Sequence, residues 1–268
     1  MKTKSALSWY GSDSEVAPEL AKMLDHCDHV TIPFCGGLAI LPHLKARAIV
    51  ANDLHDLAIN FYKVASGVNG DPVVLRDLCQ HTLSHPTELT EANCVLSEGS
   101  GSTLTAWAFW CQCWLGRKGK GGCTDQGGMP SVRRTASGGT NASRVRAAAN
   151  DMEEWAKHFE RCEWQQVDFR ELLPKVADNP KCGVYVDSPW VGVGDKYLHE
   201  FSYKDHDDLA SYLSGFNETT VVIRYGEGPL IRSLYSYWEI IEAESRTQSN
   251  AVKGELWITN RRSQRCAN

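Results

Sequence analysis

Four short stretches carry residue types that could do chemistry. Asp187-Ser188-Pro189-Trp190 sets a carboxylate, backbone carbonyls stiffened by a proline and an aromatic face side by side. Such a set suits a flipped-out nucleobase. The acceptors can take hydrogen bonds from an exocyclic amino group while the ring stacks on indole. A strand-end turn with a buried tryptophan has the same pattern, and the motif alone leaves both readings open. Pro33-Phe34-Cys35-Gly36-Gly37 offers glycines that let a backbone approach a ligand closely, or simply a turn. Asn52-Asp53 follows, with an acid that could accept from ribose hydroxyls or cap a helix. Asp168-Phe169 could hold and stack an adenine ring; a helix cap followed by a core phenylalanine is the plainer alternative.

Other candidates carry less. Cys111, Cys113 and Cys123 have poor zinc spacing and no second pair, so no metal is expected. Asp205-His206-Asp207 resembles an acid–base cluster but is expected to cap and open a helix running to Leu213. No Gly-x-Gly-x-x-Gly follows a strand, which disfavours a dinucleotide oxidoreductase.

The elements that must position these groups alternate, which suggests an open α/β sheet. Val30 to Pro33, Ala48 to Asn52, Glu163 to Val167, Gly183 to Asp187 and Thr219 to Arg224 read as strands. Trp238 to Glu242 and Glu255 to Thr259 read as a closing hairpin-like pair. Helices are expected over Leu38 to Lys45, His55 to Ala65, Pro72 to Leu83, Thr103 to Leu115 and Glu153 to Arg161. Gly116 to Asn141 is rich in Gly, Lys, Arg, Thr and Ser and reads as a flexible insertion or small subdomain.

The chain has 268 residues, 42% hydrophobic and 23% charged, enough to bury a large core and too ordinary for disorder, collagen or coiled coil. The longest apolar run, Leu104 to Leu115, is too short to span a bilayer. The N-terminal stretch has no apolar core of a secretory signal, so the ten cysteines are expected as reduced thiols. The formal charge of −5 argues weakly against a nucleic-acid partner, but it is unevenly spread. Arg117, Lys118, Lys120, Arg133, Arg134, Arg144 and Arg146 face the single acid Asp125, so this segment carries +6 and the remainder −11.

Taken in order, the motifs resemble those of the Dam-type, alpha-class adenine-specific DNA methyltransferases. The matching stretches are SWYGSDS, IPFCGGLAIL, VANDLHDLAINFY, VDFRELL and VYVDSPW, then YLHEFSYKDHDDLASYL, LYSYWE and GELWITN. The resemblance implies a Rossmann-like α/β fold with a mixed, mostly parallel sheet and an inserted target-recognition region. It implies three consecutive parts: residues 1–83 for the cofactor, 84–160 as the helical and basic insertion, and 161–268 for catalysis. S-adenosylmethionine would lie against Trp9, Tyr10, Gly11, Pro33, Phe34, Cys35, Gly36 and Gly37. Asp53 would hold its ribose, and Asp168 and Phe169 its adenine. Asp187, Ser188, Pro189 and Trp190 would take the target adenine. The seven basic residues named above would grip double-stranded DNA. A cytoplasmic enzyme of a bacterial or phage-infected cell is implied, off the membrane, with a restriction endonuclease as a candidate partner.

Departures stand at the family's Lys (Asp13 here), its Glu before Pro-Phe (Ile32), its first Pro (Ser188) and its Tyr (Trp190). They keep two alternatives open: methyl transfer to RNA or another amino-bearing base, and a catalytically silent DNA-binding relic of the fold.

Overall fold

The computed structural model describes residues 3–12, 14–116, 139–192, 199–246 and 252–261. Its strands are β1 (His29–Ile32), β2 (Ala48–Asn52), β3 (Cys162–Gln165), β4 (Cys182–Val186), β5 (Thr220–Gly226), β6 (Glu239–Arg246) and β7 (Val252–Thr259). They form one sheet in the order β3-β2-β1-β4-β5-β7-β6. Strands β2, β1, β4 and β5 pair in parallel, while β7 runs antiparallel to both β5 and β6. The parallel strands are short runs of Val, Ile, Ala and Tyr because both faces are covered; β4 and β5 are buried nearly throughout. The fold is therefore α/β with a seven-stranded, mixed sheet. Chain order reverses between β1 and β4. Open α/β sheets bind ligands at such a point.

The helices are α1 (Ala17–Lys22), α2 (Asp56–Ala65), α3 (Pro72–His81), α4 (Pro86–Glu98), α5 (Ser102–Leu115), α6 (Asn141–Phe159), α7 (Phe169–Leu172), α8 (Tyr203–Ser214) and α9 (Pro229–Leu234). None of the described helices is long and apolar enough to cross a membrane. Two units interleave along the chain. One comprises Met1–Ser14, Gly36–Pro42 and His55–Gln166; the other Glu15–Cys35, His43–Leu54 and Val167–Asn268. The units thus do not follow three consecutive stretches divided at 83 and 160. Helices α2 and α3, early in the chain, pack on α5 in the first unit.

In this helical unit α5 is apolar on almost every side, and Trp107, Phe109, Trp110, Cys111, Cys113 and Trp114 are all buried. In the sheet unit, Val184, Val186, Val221, Ile223, Leu256 and Ile258 pack with Leu209 and Leu213 of α8.

Two sequence expectations are corrected. Leu38 to Lys45 is not an α-helix: Leu38 has φ +54°, and only a 3₁₀ turn forms over Leu41–His43. Helix α6 begins twelve residues before the expected Glu153, at Asn141. Thr140 and Ser143 form a reciprocal capping box that starts it on the polar stretch 141–144, ahead of the buried stripe Val145, Ala148, Ala149 and Met152. Most of the Gly116 to Asn141 segment, residues 117–138, lies outside the described residues.

Candidate functional site

The carboxyl ends of β1, β2 and β4 carry three of the four motifs, and the Asp168 motif follows the end of β3. Asn52 ties several of these ends together within the sheet unit. Its amide nitrogen donates to the Pro33 and Val167 carbonyls, each at 2.9 Å, and its oxygen accepts from Val167 N–H at 2.9 Å. Its own carbonyl accepts from Cys35 N–H at 2.8 Å. This buried amide makes the loops after β1 and β2, and the segment entering α7, one rigid piece. Asp53, the next residue, is half-buried and is not the cap of α2. His55 takes that role, its Nδ1 accepting from Ala58 N–H.

Asp168 does cap α7, accepting from Arg170 N–H at 2.8 Å. Arg170 also donates to both Asp168 oxygens and to Asp205 and Asp208 of α8. Partial burial opposes the charge on Arg170, but these three carboxylates outweigh it and raise its pKa. Phe169 is not an open stacking face. Its ring is buried in the core against Phe34 and Phe201, with ring centroids 5.7 and 5.9 Å away. Phe34 and Phe201 are the half-exposed members of this trio.

The turn after β4 is fixed by three consecutive residues of β5. Arg224 donates to Asp187 at 3.1 Å, and its guanidinium lies 5.0 Å from the centre of the Trp190 ring. The same guanidinium forms a two-pronged pair with Glu255 of β7, both bonds 2.9 Å. Arg224 and Glu255 are buried. Burial opposes the arginine's charge, and Asp187 and Glu255 more than offset it, so its pKa is raised further. Tyr225 accepts from the Ser188 hydroxyl at 2.7 Å. Gly226 makes room: a Cβ there would come within 2.5 Å of the Trp190 ring. Neighbouring strand residues point to opposite faces, so the turn is gripped from both sides of β5. Asp187 and Trp190 are left partly exposed, whereas Ser188 is buried.

The helical unit holds the remaining predicted residues. Trp9 lies over the Gly36-Gly37 turn so closely that a Cβ at Gly37 would sit 2.7 Å from the Trp9 Cβ. Gly36 has φ +44°, and its carbonyl accepts from the Tyr62 hydroxyl at 2.6 Å. Within this unit the two glycines make room for Trp9. His55 and Phe109 meet the same indole edge-on, with centroids at 5.6 and 6.5 Å. Tyr10 is half-buried, and Gly11 sits in a turn with φ +75°.

Of the seven basic residues expected to grip DNA, Arg117, Lys118, Lys120, Arg133 and Arg134 lie outside the described residues, as does Asp13. The other two bond to groups of their own unit, and Arg146 stays exposed. Arg144 donates to Ser8 at 3.1 Å and to the Trp114 carbonyl at 3.3 Å, and lies over the Trp114 ring. Arg146 donates to the Gln80 carbonyl.

No protein-family model matches the chain, and no curated protein matches it.

Sequence reasoning missed Asn52 as an organiser, and missed Arg224, Tyr225, Gly226 and Glu255 altogether. One signal was present. An arginine inside the apolar strand TVVIRYG must be paired if buried, and Glu255 sits in the strand opposite. The expected helix-capping role of Asp205-His206-Asp207 falls to Asp205, which forms a capping box with Ser202, whereas His206 is buried in the helix.

Proposed function

We propose that this chain moves a methyl group from S-adenosylmethionine to the exocyclic amino group of a flipped-out adenine in DNA. One observation carries the reading. At the end of β4, beside the point where strand order reverses, a carboxylate and an indole are held side by side on a buried arginine. The adenine amino nitrogen is a weak nucleophile because its lone pair is delocalised into the ring. Donating its hydrogens to Asp187 and to the Ser188 carbonyl concentrates that pair on nitrogen. Arg224 fixes the acceptor, so no reorganisation is needed as charge develops. Trp190 offers the stacking face, its ring seated on Gly226.

The residues of the sheet unit fit the methyl donor. Asp53 directly follows β2 and places a half-buried carboxylate at its carboxyl end, where a ribose could bind. Among the described residues Asp168 takes three hydrogen bonds, all from Arg170; a carboxylate has about four acceptor positions, so its oxygens could also accept from an adenine amino group. Phe34 supplies an apolar face. When bound, S-adenosylmethionine supplies the methyl group on a sulfonium centre.

The test incubates the pure protein with methyl-labelled S-adenosylmethionine and unmethylated duplex DNA, with nucleoside analysis of the product. Label in N6-methyladenine is expected, together with cofactor binding by calorimetry. Absence of label in DNA overturns the proposal, whether or not RNA offered in parallel is labelled. Asp187→Asn is expected to lower kcat by about 10²–10³-fold with cofactor binding retained.

A further inference from the structure

We infer that Tyr225 and His206 are positioning residues for the Asp187–Trp190 turn, holding Ser188 through a buried hydrogen-bond chain. The inference rests on the methyl-transfer reading and deepens it, since Ser188 supplies one of the two acceptors for the base.

The Ser188 hydroxyl donates to Tyr225 Oη at 2.7 Å, and Tyr225 Oη pairs with His206 Nδ1 at 2.8 Å. Ser188, Tyr225 and His206 are all at most 3% exposed. With Ser188 donating, Tyr225 has one hydrogen and gives it to His206, which therefore accepts at Nδ1 and is neutral. Burial lowers the His206 pKa, opposed by Asp205 and Asp207 on its own helix. Burial also raises the Tyr225 pKa, so the phenol keeps its proton. Phe201 packs edge-on against the imidazole at 4.7 Å, and Tyr235 lies 6.3 Å from the Tyr225 ring.

An apolar solution was open at every one of these positions. Ala, Phe and Leu would fill nearly the same volume with no buried donor to satisfy. The chain instead commits three polar groups from β5, α8 and the turn to one line of bonds. Serine does not fix its own φ as proline does. The hydroxyl bond supplies an anchor in its place, from the strand residue next to the arginine that holds Asp187. Arg224 holds Asp187 from one face of β5, and Tyr225 holds Ser188 from the other.

The experiment is a mutant cycle on the full chain. Ser188→Ala and Tyr225→Phe are each expected to lower kcat about tenfold, with KM for S-adenosylmethionine unchanged. The double variant should be no slower than either single, because both remove the same link. His206→Leu should match Tyr225→Phe. His206→Asn, whose amide oxygen can stand near the Nδ1 position, should recover most of the rate. Singles whose effects multiply, or an equal loss in His206→Leu and His206→Asn, overturn the inference.

A second readout does not depend on activity. The Trp190 indole resonance, identified by its loss in Trp190→Phe, should shift in Tyr225→Phe and His206→Leu and return in His206→Asn. A resonance that stays put overturns the positioning role. If the wild-type protein transfers no methyl group and binds no S-adenosylmethionine, the functional proposal fails, and this resonance alone decides the inference.

Discussion

The two units spend their interiors differently. The helical unit fills its core with aromatic volume: Trp110, Trp155, Tyr62, Phe61 and Phe159 are fully buried. Its polar groups mostly finish a packing arrangement, as where Trp107 Nε1 donates to Thr82 and Trp164 Nε1 to Ser66. The sheet unit buries charge and aims it. Arg224, Glu255, Tyr225 and His206 converge on four residues after β4. The lesson is one of tolerance. An aromatic core accepts a near-isosteric exchange, whereas a buried charge pair accepts no single change.

That contrast can be broken most forcefully at Arg224. Arg224→Met leaves the buried Glu255 without its opposite charge, although Trp257 Nε1 still donates to it at 2.8 Å, and is expected to cost about 3–5 kcal/mol in urea unfolding. Adding Glu255→Leu should return most of that loss, and a double variant as unstable as the single would show that charge balance is not the cause. A smaller effect is expected at Gly226. Gly226→Val drives a side chain into the Trp190 ring and should cost about 1–3 kcal/mol while altering tryptophan fluorescence. Smaller again is Trp110→Phe in the helical unit. The Trp110 Nε1 is buried with no hydrogen-bond partner among the described residues. Losing it offsets part of the lost volume, so stability should fall by less than about 1.5 kcal/mol.

The subtlest comparison is by pH. Asp178 accepts from the backbone N–H groups of Thr219, Asn217 and Glu218, which hold its pKa down at about 2 against an ordinary 3.8. A depressed acid stabilises the fold above its unfolded pKa and loses that contribution as pH falls through its folded one. The melting temperature of the wild type should therefore exceed that of Asp178→Asn at pH 6. The difference should shrink between about pH 4 and pH 2. A difference that persists at pH 2 would assign the effect to something other than this carboxylate.

Much of the sheet was legible because β1, β2, β4 and β5 are buried apolar runs ended by polar or turn-forming residues. Helices α2, α3 and α5 were legible too: α2 through its apolar spacing, α3 through the proline at its start and α5 through a nearly continuous apolar run. The start of α6 was hidden because a capping box, a side-chain geometry of two polar residues, sets it. Asp187 and Trp190 stood out as residue types next to a strand. Their holders did not, because Arg224 is 37 positions from Asp187, and only strand pairing brings them together. The N-cap alternative was right for Asp168 and wrong for Asp53, a difference decided by two residues: His55 caps α2 two positions late.

The position of Glu255 has a consequence for the order in which the chain can mature. Arg224 leaves the ribosome 31 residues before its bidentate partner. A nascent sheet that has reached β5 holds a guanidinium at its growing edge with Asp187 but without Glu255. Burying that edge is costly until β7 is made and docks antiparallel beside it. Strand β7 thus acts as a latch. The charged turn after β4 is completed last, by the strand that closes the sheet, and the order of synthesis becomes the order in which the site acquires its charge balance.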